Sequence, residues 1–313
     1  MSSFKGRILV IRGGAIGDFI LTLPAITVLR RQFPAAHLEV LGYPHIAQLA
    51  LAGGLVNRVQ SIEARALAGF FARGGSLVES LADCFSEFDL ILSYLYDPDR
   101  VFETNVSLCT RAQFIVGPHR PNEAARLHAT KVYLQPLERL AIFDADHIPR
   151  LLLPRGPVSL NLQPSSLNLL ALHPGSGSER KNWPQAKWAE LLRRLMESTD
   201  FNLLIVGGEA EGERLQRLAA VLPPARCQMA QSLPLAELAH RLTSCHAFIG
   251  HDSGISHLAA AVGLPGVVLW GDTAEEIWRP PSEKVAVLRH PAGLAQLPVE
   301  SVLEQVAGIL QTA

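Results

Sequence analysis

Apolar residues fall along this chain in two alternating rhythms. Compact runs of strand length come first, starting with residues 7–11 (RILVI). A Gly-rich turn follows, and then apolar positions at Ile16, Phe19, Ile20, Leu23, Ile26 and Leu29. That spacing is helical, with Pro24 near the first turns and Phe33-Pro34 as the stop. HLEVLGY (37–43), LILSYLY (90–96) and FIVG (114–117) read as further strands. Strands alternating with helical stretches predict parallel β-α-β units. At 149–166 the composition shifts to Pro, Ser and Asn, which predicts a connection between domains. The rhythm then restarts. LLALHPGSG, FNLLIVGG, AFIGHDSG and VVLWGD each run from strand to turn, and 184–196, 209–221 and 297–310 have helical periodicity. The expectation is an α/β chain of two doubly wound domains facing a central cleft, 1–160 and 161–313. The final helix, about 297–310, is the segment that would pack back on the first domain.

Composition narrows the classes. At 313 residues and 48% hydrophobic, the chain can bury two cores without disulfides or a structural metal. Twenty-eight basic against 29 acidic side chains leave a net charge of −1, which argues against a dedicated nucleic-acid binder. Cys84, Cys109, Cys227 and Cys245 form no CxxC pair, as expected of a reduced cytoplasmic protein without a zinc site. The N-terminus lacks the pattern of a signal peptide. The longest apolar stretch, Leu258 to Trp270, is broken by Pro265 and too short to span a bilayer.

In open parallel sheets, ligands sit outside the carboxyl ends of the strands. Four loops there have suitable chemistry. In RGGAIGD (12–18), Gly13, Gly14 and Gly17 allow a tight turn and close approach of a ligand. The spacing fits neither a dinucleotide fingerprint nor a P-loop. Asp18 opens the helix, either as a carboxylate favoured by the helix dipole or as a general base. In HPGSGSERKNWP (173–184), hydroxyls, backbone N–H groups and Lys181 suit an anion, although the stretch also reads as an ordinary solvated helix start. VGGEAEGERL (206–215) places Glu209, Glu211 and Glu213 after two glycines; most are first-turn acids, and one could accept ribose hydroxyls. In GHDSGISH (250–257), Asp252, Ser253 and Gly254 form a turn ahead of His257, placing hydroxyl, N–H and imidazole together at a helix start.

Two other patterns carry less. Asp97-Pro98-Asp99 and Asp144-Ala145-Asp146 look like a DxD metal site, but neither lies in a Gly-rich phosphate loop, and turns are expected. Segment 111–131, with Arg111, His119, Arg120, Arg126, His128 and Lys131, reads as a solvated basic face that could attract an acidic acceptor.

Taken together, IRGGAIGDFILTLPAITVLRRQFP, HPGSGSERKNWP, LLIVGGEAEGERL and GHDSGISHLAAAVGLPGVVLWGDT resemble glycosyltransferase family 9, the heptosyltransferases of the bacterial lipopolysaccharide core. The resemblance implies a GT-B fold with two Rossmann-like domains. The donor, an ADP-linked heptose, would be held by the C-terminal domain and a glycolipid or other sugar acceptor by the N-terminal one. It implies inversion at the anomeric carbon with no bound metal or other cofactor. By the same resemblance Asp18 is the catalytic base and Lys181, with Ser176, binds the donor diphosphate. Glu211 matches the ribose ligand, with Glu209 and Glu213 as alternatives. Leu233 lies where adenine is contacted, Asp252 meets sugar hydroxyls, and Ser253, Gly254 and His257 form the diphosphate-side turn. Gly13, Gly14 and Gly17 belong to the acceptor-side loop. Departures include Gly13-Gly14-Ala15 in place of polar residues, Ile255 where proline is common, and Gly271-Asp272-Thr273 for Gly-Pro-Thr. These leave the sugar and acceptor less defined than the fold. The expected protein is cytoplasmic or peripheral at the inner membrane, with no nucleic-acid partner. A GT-B epimerase or hydrolase, and a non-catalytic nucleotide-sugar-binding protein, are the rival readings.

Overall fold

The computed structural model describes residues 4–153 and 168–312. The chain divides into two compact units, Met1–Pro149 and Arg150–Ala313. Most of the proline-rich connection expected at 149–166, and the expected boundary at 160/161, lie outside the described residues.

The first unit is built on a five-stranded sheet in the order β3-β2-β1-β4-β5. Its strands are β1 (Arg7–Arg12), β2 (His37–Gly42), β3 (Arg58–Ser61), β4 (Leu90–Ser93) and β5 (Gln113–Val116). All pair in parallel, with Ile8 opposite Leu38 on one side and Leu90 on the other. The interiors of β1 and β4 are apolar because helices cover both faces of a parallel sheet, and Ile8, Val10 and Ile11 are fully buried, while the buried Glu39 of β2 is met by Arg7 and His37. Between the strands run α1 (Ile16–Gln32), α2 (Pro44–Ala52), α3 (Glu79–Ser86) and α4 (Val101–Ser107), and α5 (Ala129–Leu134) follows β5. One core cluster joins Leu9, Ile11, Leu41 and Ile91 of the strands to Phe70, Phe85, Phe102 and Val106.

The second unit repeats the plan with a sixth strand, in the order β11-β10-β9-β6-β7-β8. Its strands are β6 (Leu169–His173), β7 (Asn202–Gly207), β8 (Cys227–Gln231), β9 (Ala247–His251), β10 (Gly266–Leu269) and β11 (Val285–Leu288). The helices are α6 (Gln185–Ser198), α7 (Gly212–Ala219), α8 (Leu235–Leu242), α9 (Gly254–Ala261), α10 (Glu275–Trp278) and α11 (Val299–Thr312). Trp188, Leu191 and Leu195 of α6, Leu215 and Leu218 of α7, and Val302 and Val306 of α11 share one core over β6, β7 and β9. Val299, Val302 and Val306 of the last helix lie in the core of the second unit.

Three strands escape the sequence pattern. β3 (RVQS) and β8 (CQMAQ) are sheet edges, partly exposed, with no apolar run to mark them. β11 is a four-residue edge strand. The stretch read as helix from 209 starts as a 3-10 turn over Glu209–Glu211 before α7.

Candidate functional site

Each sheet changes direction once, between β1 and β4 in the first unit and between β6 and β9 in the second. Such switch points leave a crevice at the strands' carboxyl ends. Asp18 with its glycine turn lies at the first of these places, and Lys181, Asp252, Ser253, Gly254 and His257 at the second.

In the first unit, Gly14 turns the chain with a φ of 98°, a conformation that favours glycine. Gly13 shares this turn between β1 and α1, and Gly17 is the second residue of α1. Asp18 stands at the third position of α1, where its Oδ2 accepts the Ala15 N–H at 3.1 Å. The helix-stabilising role of this carboxylate is therefore present in the geometry. Its Oδ1 faces the Arg12 guanidinium at 3.7 Å, and the Asp18 side chain remains one-third exposed (32%). Arg12 was not singled out in the sequence. It ends β1 and reaches across the switch point, donating to His119 O at 2.9 Å and to Asp18 O at 3.3 Å. Its guanidinium carbon lies 4.6 Å from the centre of the Tyr133 ring.

In the second unit the loop after β6 carries Lys181 to the turn after β9. Lys181 Nζ donates to Asp252 Oδ2 at 2.6 Å, and Thr273 Oγ1 donates to the same oxygen at 2.7 Å. Asp252 is buried, so two donors on one oxygen offset the cost of removing its charge from water. Thr273, after β10, completes a group the sequence reading left as a departure from pattern. Ser253 caps α9, accepting from Ser256 N–H at 3.4 Å, and its hydroxyl lies 3.2 Å from His173 Nδ1. Gly254 is the first residue of α9, and His257 is buried in its first turn.

Two buried imidazoles set the loop that bears Lys181. The N–H of Trp183 donates to His251 Nε2 at 2.8 Å, while His251 Nδ1 lies 3.2 Å from Gly175 O. An accepting Nε2 requires the proton on Nδ1, so one neutral ring ties the start of the loop to its end. Burial pushes the pKa of His251 down to about 3 and that of His173 down to about 4. Ser176 Oγ, within the loop, lies 2.9 Å from Ser178 O and 2.8 Å from Asn182 Oδ1.

Of the three glutamates after β7, the fold directs Glu211 to the β6 turn. Its Oε2 accepts the Gly208 N–H at 2.8 Å, and a Cβ on Gly175 would fall 2.5 Å from Glu211 Cγ. Only glycine at 175 leaves room for that side chain. Glu213 points instead to Arg217, at 3.3 Å. Leu233, half-buried just beyond β8, lies past the edge strand of the sheet, apart from the Lys181–Asp252 group in strand order.

The DxD look-alikes have local roles. Asp97 accepts the N–H groups of Phe102 and Glu103 at 3.2 and 3.0 Å, and Asp99 pairs with Arg73 at 3.2 Å. Asp146 accepts from Ile148 N–H at 3.0 Å. Among the described residues, no group of three His, Cys, Asp or Glu is placed to hold a metal ion.

Residues 153–306 match the family model for glycosyltransferase family 9 (heptosyltransferase). Lipopolysaccharide heptosyltransferase 1 of Pseudomonas aeruginosa is 27% identical over 305 residues, spanning 85% of this chain and 79% of that protein. Among solved structures, a family 9 glycosyl transferase from Veillonella parvula aligns with a TM-score of 0.80 at 18% identity, over 100% of this chain and 99% of its own. The E. coli ADP-heptose lipopolysaccharide heptosyltransferase II aligns with a TM-score of 0.77 at 19% identity, over 98% and 99%. At such identities the structural likeness establishes the fold, a two-domain α/β fold of GT-B type.

Proposed function

Because the chain belongs to glycosyltransferase family 9, we propose that this glycosyltransferase moves heptose from ADP-heptose to an acceptor resembling the lipopolysaccharide core, with inversion and without a metal. The observation that carries this reading is the Lys181–Asp252 contact at the β6/β9 switch point, with Thr273 on the same carboxylate. A cation, a hydroxyl-binding carboxylate and the N-terminus of α9 there offer complementary groups to a sugar linked through a diphosphate. Ser176, Ser253, Gly254 and His257 line the same two turns, Glu211 is the ribose ligand, and Leu233 meets the base. Gly13, Gly14 and Gly17 shape the acceptor loop around Asp18.

In the reaction, the acceptor hydroxyl oxygen attacks the anomeric carbon from the face opposite the diphosphate. The bond from that carbon to the diphosphate oxygen breaks, and ADP leaves with the electron pair. The hydroxyl proton passes to the Asp18 carboxylate. Lys181 and the N–H groups of the 252–254 turn stabilise the charge arriving on ADP, the task a divalent cation performs elsewhere. The N-terminal domain, 1–160, thus serves the acceptor and the C-terminal domain, 161–313, the donor. No helix among the described residues is long and apolar enough to cross a membrane. We place the enzyme in the cytoplasm, with exposed Arg111, Arg120, Arg126 and Lys131 facing an acidic glycolipid at the membrane surface.

The test is product analysis with ADP-heptose and a panel of truncated core oligosaccharides, each with and without EDTA. The expected result is one ADP released per heptosylated acceptor, an inverted linkage by NMR, and unchanged turnover on chelation. Free heptose as the sole sugar product would make the protein a hydrolase, and an epimerised nucleotide sugar an epimerase. Tight ADP binding with no turnover on any acceptor would leave a binding protein. Loss of turnover on chelation, restored by Mg²⁺, would end the metal-independent reading.

A further inference from the structure

Arg12 is a costly residue in its position. Its side chain is 2% exposed, and its Nε is buried with no hydrogen-bond partner. A guanidinium taken out of water persists where fixed groups face it. Here they are the His119 carbonyl at 2.9 Å, the Tyr94 carbonyl at 3.5 Å, the face of Tyr133, and Asp18, met at both its backbone carbonyl and its carboxylate. The tyrosines stay neutral, since burial pushes both phenols up. They pack edge to face, with ring centres 5.7 Å apart, and the Tyr94 hydroxyl is anchored by donating to Tyr133 O at 2.5 Å. The cage therefore holds the cation from the side of β4 and α5, while Asp18 closes it from α1.

We infer that Arg12 is a positioning residue for Asp18, the buried strut that fixes the rotamer of the carboxylate proposed to take the acceptor's proton. One oxygen, Oδ2, is tied to the Ala15 N–H and the other, Oδ1, faces Arg12, so the carboxylate plane is held from both sides. An untethered aspartate in a helix's first turn samples several χ1 wells; this one has opposing anchors in one well. The cation itself is too buried to meet a sugar, so its effect reaches the reaction through Asp18. The inference rests on Asp18 being the base.

The experiment compares Arg12→Gln, Arg12→Lys, Asp18→Asn and the Arg12→Gln/Asp18→Asn pair in the intact chain, using ADP-heptose and the best acceptor of the panel. Arg12→Gln should lower kcat about 10–100-fold, the scale expected of a misplaced catalytic group, with donor KM and ADP affinity within twofold of wild type. Arg12→Lys should recover part of the loss, because it keeps the charge but not the planar fork. In the Asp18→Asn background, Arg12→Gln should remove less than a further twofold. A full additional loss there, or near-normal kcat in Arg12→Gln alone, would overturn the inference. Near-normal turnover of Asp18→Asn would overturn the base assignment instead, and so separates the two failures. Should Arg12→Gln fail to fold, Arg12→Lys and urea denaturation decide. Its destabilisation should shrink when Asp18 is Asn, and an unchanged destabilisation would show that the two side chains are uncoupled.

Discussion

At Lys181 the ammonium already has an anionic partner, since Asp252 accepts from it at 2.6 Å. A nucleotide diphosphate adds further charged oxygens to the same cation. Lys181→Ala should weaken ADP binding by about 2–3 kcal/mol, the scale of a charge-assisted hydrogen bond. Calorimetry with ADP measures it, and unchanged affinity would remove Lys181 from the donor site. The two buried histidines give a second expectation. Their folded pKa values, about 4 for His173 and about 3 for His251, lie below the value of about 6.5 for an unfolded chain. Between those limits the unfolded state binds more protons, so stability falls as pH drops below about 6.5, by about 1.4 kcal/mol per pH unit for each histidine. The loss ends near pH 4 for His173 and near pH 3 for His251, and above pH 7 neither contributes a slope. Urea unfolding at pH 7, 6 and 5, followed by tryptophan emission, should show this fall, and His173→Asn should lessen it; a flat profile would contradict neutral buried rings. Asp18, Lys181 and Asp252 were legible because turn-forming glycines and serines surround them at the ends of apolar runs. Arg12, Thr273 and His251 were not, because their partners come from other strands and loops and only chain pairing brings them together.

The loop between β1 and α1 shows how one backbone angle serves a side chain. Gly14 has a φ of 98°, and a Cβ added there would meet Asp18 Oδ2 at 3.0 Å. Gly54 also has a positive φ, 65°, but nothing lies within 4 Å of such a Cβ. Both Gly→Ala changes carry a backbone penalty of about 1–2 kcal/mol. Only Gly14→Ala should also push the Asp18 carboxylate and reduce turnover, with ADP affinity unchanged. Melting temperature and turnover on the two variants check this, and equal turnover would separate Gly14 from the chemistry. Elements buried on both faces, such as β1, β4, β6 and β9, could be read from apolar runs. β3 and β8 could not: an edge strand packs less of its surface, so its sequence is free of the apolar signal.

On the scale of the whole chain, a βα rhythm that runs twice pointed to two parallel sheets, and two are observed. Strand order was not legible, because periodicity tells which residues are buried and not which strand lies beside which. That order has a kinetic consequence. In the second unit β6, β7 and β8 pair in sequence, as do β9, β10 and β11. Among the described strands the halves pair only through β6 and β9, where Leu170 meets Ala247 across the chain between them. Closing that long loop costs more entropy than any pairing within a half, so this join is the expected late event in folding. Ile249, fully buried on β9 opposite Leu172, is a suitable probe. Ile249→Val should cost about 0.5–1.5 kcal/mol and show it as faster unfolding at an almost unchanged refolding rate. A slowed refolding limb in stopped-flow measurements would place the join in the folding nucleus. Lys181 and Asp252 lie just beyond this join, so the turns proposed to hold the donor are expected to form late in folding and to open early in unfolding.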